Sequence, residues 1–335
     1  MSEPTLVIQT AFLGDVILTT PLLSALAARH GQVDVVTTPI AAPLLETHPA
    51  VRQVIPYDKR GADRGWAGLR RLARRLSAEH YGRAYLPHRS LRTAALALLA
   101  RIPSRIGFSG GWSFLYTEAR PKPRTWGGAG HETDRLLALA DKPPGAYPPQ
   151  LQPTALDEQT AAAIIDGAFV ALAPGSIWGS KRWPYYGELA AQLAAHATVV
   201  VVGGPDDAGL GEEIVGAVRR SGGRAVNACG KLTLRQSAAL IKRATLLVTN
   251  DSAPLHLASA VGTPIVALFG PTITEFGFGP VRPGDVALGM ELQCRPCSSH
   301  GPPQCPLGHH RCMRDLTVEA VTRAIEELGA LRRRN

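Results

Sequence analysis

Apolar positions follow two alternating patterns from the start of the chain: short β-branched runs, then stretches with the three- and four-residue spacing of a helix face. "TLVIQTAF" (residues 5–12) is the first such run, and "DVILTTPLLSALAARHG" (15–31) keeps helical spacing up to its stop at Gly31. "VDVVTTP", a short helix in "IAAPLLETHP", and "VRQVIPYD" come next, so the first 58 residues predict strand, helix, strand, helix, strand. Such alternation predicts a parallel sheet with right-handed crossovers.

An arginine-rich helix at about 64–80, a strand in "RAYLPH" and a helix in "RSLRTAALALLAR" continue the pattern. From Ser109 it dissolves into glycine, proline and aromatics through "SGGWSFLYTEARPKPRTWGGAG", which predicts a long irregular loop of the kind that is often functional. A helix resumes in "HETDRLLALAD", and the proline-rich "KPPGAYPPQLQPT" reads as a connector between a first domain, 1–150, and a second, 151–335. Beyond it the alternation restarts at "FVALAPG" and runs through "TVVVVGGP", "TLLVTND" and "TPIVALFGP". The fold class is α/β, two doubly wound parallel-sheet domains alike in architecture, with no sequence repeat of the solenoid kind.

Composition narrows the picture. A chain of 335 residues with 45% hydrophobic and 19% charged positions suits two globular domains. "MSEPTLVIQTAF" lacks a secretory signal and no stretch reaches the ~18 apolar residues of a membrane span, so a soluble cytoplasmic protein is expected. Lysine and arginine outnumber acids 36 to 27, with basic clusters in "RGWAGLRRLARRLSAEHYGR", "PHRSLRTAALALLARIPSR" and "LRRRN". The first two are either solvated helix faces or a surface that meets anionic lipid or sugar phosphate. No RNP signature or zinc-finger helix is present, so nucleic acid is not an expected partner.

In open parallel sheets ligands bind beyond the carboxyl ends of the strands, which directs attention to the strand-to-helix turns. "TAFLGD" places Asp15 at the start of a helix. "APGSIWGSKRWP" offers Gly175 and Gly179 for close backbone approach to an anion and Lys181 as a point charge, or else is a plain loop with a surface lysine. In "TNDSAPLHLASAVGTPIVALFGPT", Asn250, Asp251 and Ser252 sit where N-caps sit, and the helix from Ala253 presents unpaired N–H groups suited to a diphosphate. His256, one turn on, faces the same ligand or is simply packed. GxGxxG, GxSxG and HExxH are all absent, which counts against nicotinamide, α/β-hydrolase and zincin chemistry.

These stretches, together with "CGKLTLRQSAALIKRATLLVTND" and a cysteine-rich tail, resemble glycosyltransferase family 9, the lipopolysaccharide heptosyltransferases, closest to the heptosyltransferase II type. The resemblance implies a GT-B fold, two Rossmann-like domains facing a central cleft, with the acceptor on the first, the ADP-sugar on the second, and closure over the connector. It implies inverting transfer of L-glycero-D-manno-heptose from ADP-heptose to a phosphorylated lipid or oligosaccharide acceptor, the lipopolysaccharide inner core, at the cytoplasmic face of the inner membrane. It makes Asp15 the general base and Lys181 the phosphate lysine. Ser176 and Ile177 fall beside the nucleotide phosphates, and Asp251, Ser252, Ala253 and His256 match the motif around diphosphate and sugar. Gly14 and Arg89 belong to the acceptor loops. The motif's usual glycine is Ala253 here, followed by Pro254. The rivals are a transferase of another NDP-sugar and a non-catalytic nucleotide-sugar-binding protein.

No cofactor is required if Lys181 and the helix end carry the leaving charge. "CRPCSSHGPPQCPLGHHRCM" spaces Cys294, Cys297, Cys305 and Cys312 as a structural zinc or iron–sulfur site would, with His300, His309 and His310 as substitutes. The alternatives are reduced cysteines that shape a loop, or redox chemistry. Cys229 reads as a small buried residue. A C-terminal helix is expected to pack back on the first domain.

Overall fold

Uninterrupted apolar strands need cover on both faces, and that need organises each half of the chain. The structure is a computed structural model that describes residues 3–123 and 130–329; residues 124–129 of the expected loop and the terminal "LRRRN" lie outside the described residues. Two compact units result, Met1–Gln152 and Pro153–Asn335, the division falling in the proline-rich connector.

The first unit contains β1 (Thr5–Ile8), α1 (Leu13–Leu18), α2 (Thr20–His30), β2 (Val33–Thr37), α3 (Ala42–Leu45), β3 (Val51–Pro56), α4 (Gly65–Ala78), β4 (Arg83–Leu86), α5 (Leu91–Leu99), β5 (Ser104–Phe108), β6 (Glu118–Arg120) and α6 (Glu132–Leu137). Its six parallel strands lie in the order β3-β2-β1-β4-β5-β6. Alternation along β1 divides the core: Leu6 and Ile8 pack with Leu69, Leu72 and Leu76 of α4 and Leu96 of α5, whereas Val7 packs with Val16, Leu22, Leu26 and Leu136 from α1, α2 and α6.

Two expectations need correction here. The helix over 15–31 is two helices, because Pro21 has no N–H to give the Ile17 carbonyl; the Thr20 hydroxyl donates to that oxygen instead, at 2.7 Å. The loop from Ser109 also contains a strand, β6, which pairs in parallel with β5. It is three residues at the sheet edge, "EAR", too polar to show as an apolar run.

The second unit contains α7 (Ala155–Ile164), β7 (Phe169–Ala173), α8 (Tyr186–Leu193), β8 (Thr198–Val201), α9 (Ala208–Arg220), β9 (Ala225–Asn227), α10 (Leu234–Arg243), β10 (Leu246–Asn250), α11 (Ala253–Val261), β11 (Ile265–Phe269), β12 (Val286–Gly289), α12 (Arg311–Arg314) and α13 (Val318–Glu327). Its order is β12-β11-β10-β7-β8-β9, again all parallel. Counted within each unit, both sheets run 3-2-1-4-5-6, and the order reverses between β1 and β4 in one and between β7 and β10 in the other. Within the second unit, the apolar stripe of the C-terminal helix α13 is used: Val318, Val321, Ala324 and Ile325 join Val170, Leu172, Val266 and Leu268 in the core. Among the described residues, no helix is long and apolar enough to cross a membrane.

Candidate active site

Each sheet's reversal point opens between two turns that diverge, and the sequence-derived candidates fall on those turns. In the first unit Phe12 caps α1 with extended backbone, and its N–H donates to Asp15 Oδ2 at 3.2 Å. One oxygen of the half-buried carboxylate therefore serves as a cap. Burial first, then the nearby charge of Glu132, pushes the Asp15 pKa up to about 6, against the Phe12 N–H and the Lys122 ammonium. A helix start favours an ionised carboxylate, but a helix of six residues has too small a dipole to outweigh the loss of solvent. The result is a carboxylate poised to take a proton near neutral pH.

Glu132 opens α6, is 5% exposed, and bonds Lys122 Nζ and Arg135 at 2.7 Å each. Neither Glu132 nor Lys122 stood out in the sequence, since nothing in "HETD" or "PKP" sets them apart from ordinary surface charge. Lys59, from the turn after β3, donates to the Thr10 carbonyl at 2.6 Å and braces the turn before Asp15. Gly14 lies in α1 beside Asp15. Arg89, on the turn after β4, is exposed and donates to the Ser109 carbonyl at 3.3 Å.

In the second unit the turn after β7 ends in a short 3₁₀ helix, Gly179–Lys181, and the turn after β10 leads into α11. Lys181 is buried, and its Nζ donates to Asp251 Oδ2 at 2.6 Å; the Thr272 hydroxyl donates to the same oxygen at 2.6 Å. Asp251 thus holds the lysine rather than capping the helix, and among the described residues two of the ammonium's three N–H groups have no partner. Thr272 was missed as a residue, although the "GPT" turn after β11 marks its place.

Asn250 is no cap either. Its side chain accepts from the Trp183 N–H at 3.2 Å and donates to the Pro174 carbonyl at 2.8 Å, tying the turn after β7 to the end of β10. Ser252 is the N-cap residue by backbone, φ −153° and ψ 177°, yet its buried hydroxyl has no hydrogen-bond partner among the described residues. Pro254 brings no N–H and Leu255 N–H turns back to the Ser252 carbonyl at 3.1 Å, so the helix end presents the N–H groups of Ser252 and Ala253. His256 is buried one turn in, edge-on to Phe278 with ring centroids 6.5 Å apart. Ser176 and Ile177 form the tip of the turn: the Ser176 hydroxyl accepts from Trp178 N–H at 3.3 Å, and Ile177 is 81% exposed.

For the cysteine-rich segment, the structure gives no support to the metal site its spacing suggested. Among the described residues no three His, Cys, Asp or Glu are grouped to hold a metal ion, and all five cysteines are free. Cys312 turns into the core on α12, where burial raises its pKa to about 11, and burial raises Cys297 as well. Cys229 is buried as expected.

Known proteins resemble this chain in sequence and in fold. The family model described as glycosyltransferase family 9 (heptosyltransferase) matches residues 69–307. Lipopolysaccharide heptosyltransferase 2 of Escherichia coli K12 is 29% identical, over 97% of each chain. Lipopolysaccharide heptosyltransferase 1 of Pseudomonas aeruginosa is 30% identical over 94% of this chain and 91% of its own. The solved structure of the E. coli ADP-heptose lipopolysaccharide heptosyltransferase II superposes with a TM-score of 0.78 at 27% identity, covering 98% of both chains.

Proposed function

The chain belongs to glycosyltransferase family 9, a glycosyltransferase with the GT-B fold of its structural neighbours, and from that premise we propose that it is an inverting heptosyltransferase. It moves L-glycero-D-manno-heptose from ADP-heptose to a hydroxyl of the lipopolysaccharide inner core. The observation that carries this reading is the buried Lys181, fixed by Asp251 beside the N-terminus of α11. A buried cation fixed beside a helix start suits a leaving diphosphate.

Inversion requires the acceptor oxygen to attack the anomeric carbon opposite the diphosphate while a base takes its proton. Asp15 is that base, and Arg89 and Gly14 lie where the acceptor enters. Ser176, Ile177, Ser252, Ala253 and His256 surround the nucleotide sugar. Lys181 and the helix end take the charge that departs, so no catalytic cofactor is called for.

The acceptor is carried by a membrane, and the exposed face of α4 suits peripheral contact with the anionic cytoplasmic leaflet. Arg70, Arg71, Arg74, Arg75 and Trp66 point outward there while Leu69, Leu72 and Leu76 are buried.

Mass spectrometry of products from ADP-heptose, ADP-glucose and UDP-sugars with truncated core acceptors tests the reading. A mass gain of one heptose with ADP-heptose alone is expected. Equal transfer from a UDP-sugar would point to a different donor, a pertinent contrast because Ala253 replaces the motif's glycine. No transfer from any donor would leave a binding protein.

A further inference from the structure

The cysteine-rich segment has a structural role that its spacing did not suggest. Its contacts converge on the three-residue turn that ends in Lys181. His310 Nε2 donates to the Ser180 carbonyl at 2.7 Å, and the Ser180 hydroxyl donates to the Pro302 carbonyl. The segment's backbone lies directly on the turn: a Cβ on Gly179 would stand 2.8 Å from the Pro303 carbonyl oxygen. Gly301, at φ +82°, lies against the lysine itself, where a Cβ would come within 3.0 Å of Lys181 Cε and 3.1 Å of Pro271. Only glycine suits that position, on grounds of both backbone and space.

The segment is in turn anchored. His310 has a left-handed backbone, φ 50°, held by its N–H to Cys305 Sγ at 3.4 Å and by its carbonyl, which accepts from Met313 N–H at 3.1 Å and Arg314 N–H at 3.0 Å. Cys312 and Met313 are buried in the core, and Trp183 Nε1 donates to the Leu316 carbonyl at 2.8 Å. Residues 179–183 are therefore gripped by residues 301–303 at one end and by 310–316 at the other.

We infer that the cysteine-rich segment is a clamp that sets Lys181 for the donor diphosphate, with His310 as a positioning residue acting through Ser180. The cysteines shape the clamp: Cys305 Sγ receives the His310 N–H and Cys312 fixes α12 in the core. A lysine side chain has four rotatable carbon–carbon bonds, and a site that leaves it free loses binding energy to its ordering. The clamp reduces that loss before any ligand arrives.

The inference rests on the assignment of Lys181 to the diphosphate, and the test separates the two. Binding of ADP alone is measured by calorimetry for the wild type, His310→Ala, His310→Gln and Lys181→Ala, and for His310→Ala in the Lys181→Ala background. His310→Ala should weaken ADP binding about tenfold, the scale of one well-placed hydrogen bond, with the acceptor KM and the melting temperature little changed. His310→Gln, whose amide can still donate to Ser180, should recover most of the loss. In the Lys181→Ala background the His310 change should have no further effect. Lys181→Ala with unchanged ADP affinity overturns the donor reading and the clamp together. Weakened binding in Lys181→Ala but wild-type affinity in His310→Ala overturns the clamp alone, as does an additive loss in the double variant.

Discussion

Asp15 does two things with one carboxylate: it accepts the Phe12 N–H at the start of α1 and it is left partly desolvated beside Glu132. A base must be ionised to act, so transfer should fall as pH drops through about 6, the value to which burial and Glu132 raise the group. Glu132→Gln removes a neighbouring negative charge and releases Lys122, and both changes favour ionised Asp15. The acid limb of kcat/KM should therefore move to lower pH; a limb that stays in place or moves upward would rule out this electrostatic coupling. Stability carries the opposite sign. A carboxyl whose folded pKa lies above its unfolded value of 3.8 binds its proton more tightly when folded, so its contribution declines as pH rises from 3.8 through about 6. Asp15→Asn, which cannot ionise, should melt above the wild type at pH 8, with the gap closing towards pH 4 in scanning calorimetry.

Among the elements, α4 is the one whose sequence leaves a choice that packing alone does not close. Its buried residues, Gly68, Leu69, Leu72, Ala73 and Leu76, occupy one side and its arginines the other, and among the described residues only Arg71 is tied to an acid, Asp63, at 2.5 Å. A solvated helix face and a membrane-facing one are alike in this pattern, and they separate on lipid. Each basic residue near an anionic surface contributes ~1 kcal/mol, so Arg70→Ala, Arg74→Ala and Arg75→Ala combined should weaken binding to phosphatidylglycerol-containing vesicles about a hundredfold. Binding unaffected by the triple change, or equal on neutral phosphatidylcholine vesicles, would remove the membrane role.

At the scale of the molecule, the proposed function assigns the proton and the diphosphate to different units, Asp15 and Lys181 each lying on a turn at the reversal point of its own sheet. That division predicts separable defects. Asp15→Ala should lose about 10²–10⁴-fold in turnover, the usual worth of a general base, while binding ADP as the wild type does. Lys181→Ala should weaken ADP binding and leave the pH of the acid limb where it was. A donor affinity that changes with Asp15 would mean that the two functions are not divided in this way.

Most of the architecture was legible because strands covered on both faces must be continuously apolar and helices on a core must keep their stripe: "TLVI", "FVALA" and "LLVTN" leave few alternatives. Where the core exerted no such demand the pattern was silent, as at the polar edge strand β6, or misleading, as where Pro21 divides a helix whose apolar spacing runs on unbroken. The turns carrying Asp15, Lys181, Asp251 and Ser252 could be found by their position after strands, because chemistry in such sheets collects at strand ends. Their partners could not. Lys181 meets Asp251 across 70 residues and Ser180 meets His310 across 130, distances along the chain that no local spacing encodes. The sequence by itself determined which segments are strands and helices, that they form two parallel-sheet units, and which turns are open to ligands. Only the tertiary structure decided that Asp251 holds a lysine instead of a helix, that Asp15 is desolvated rather than merely capped, and that the segment with four cysteines spaced like ligands packs on the turn that carries Lys181. Periodicity reports the local environment of a residue, whereas charge pairing and desolvation depend on what long-range packing brings beside it.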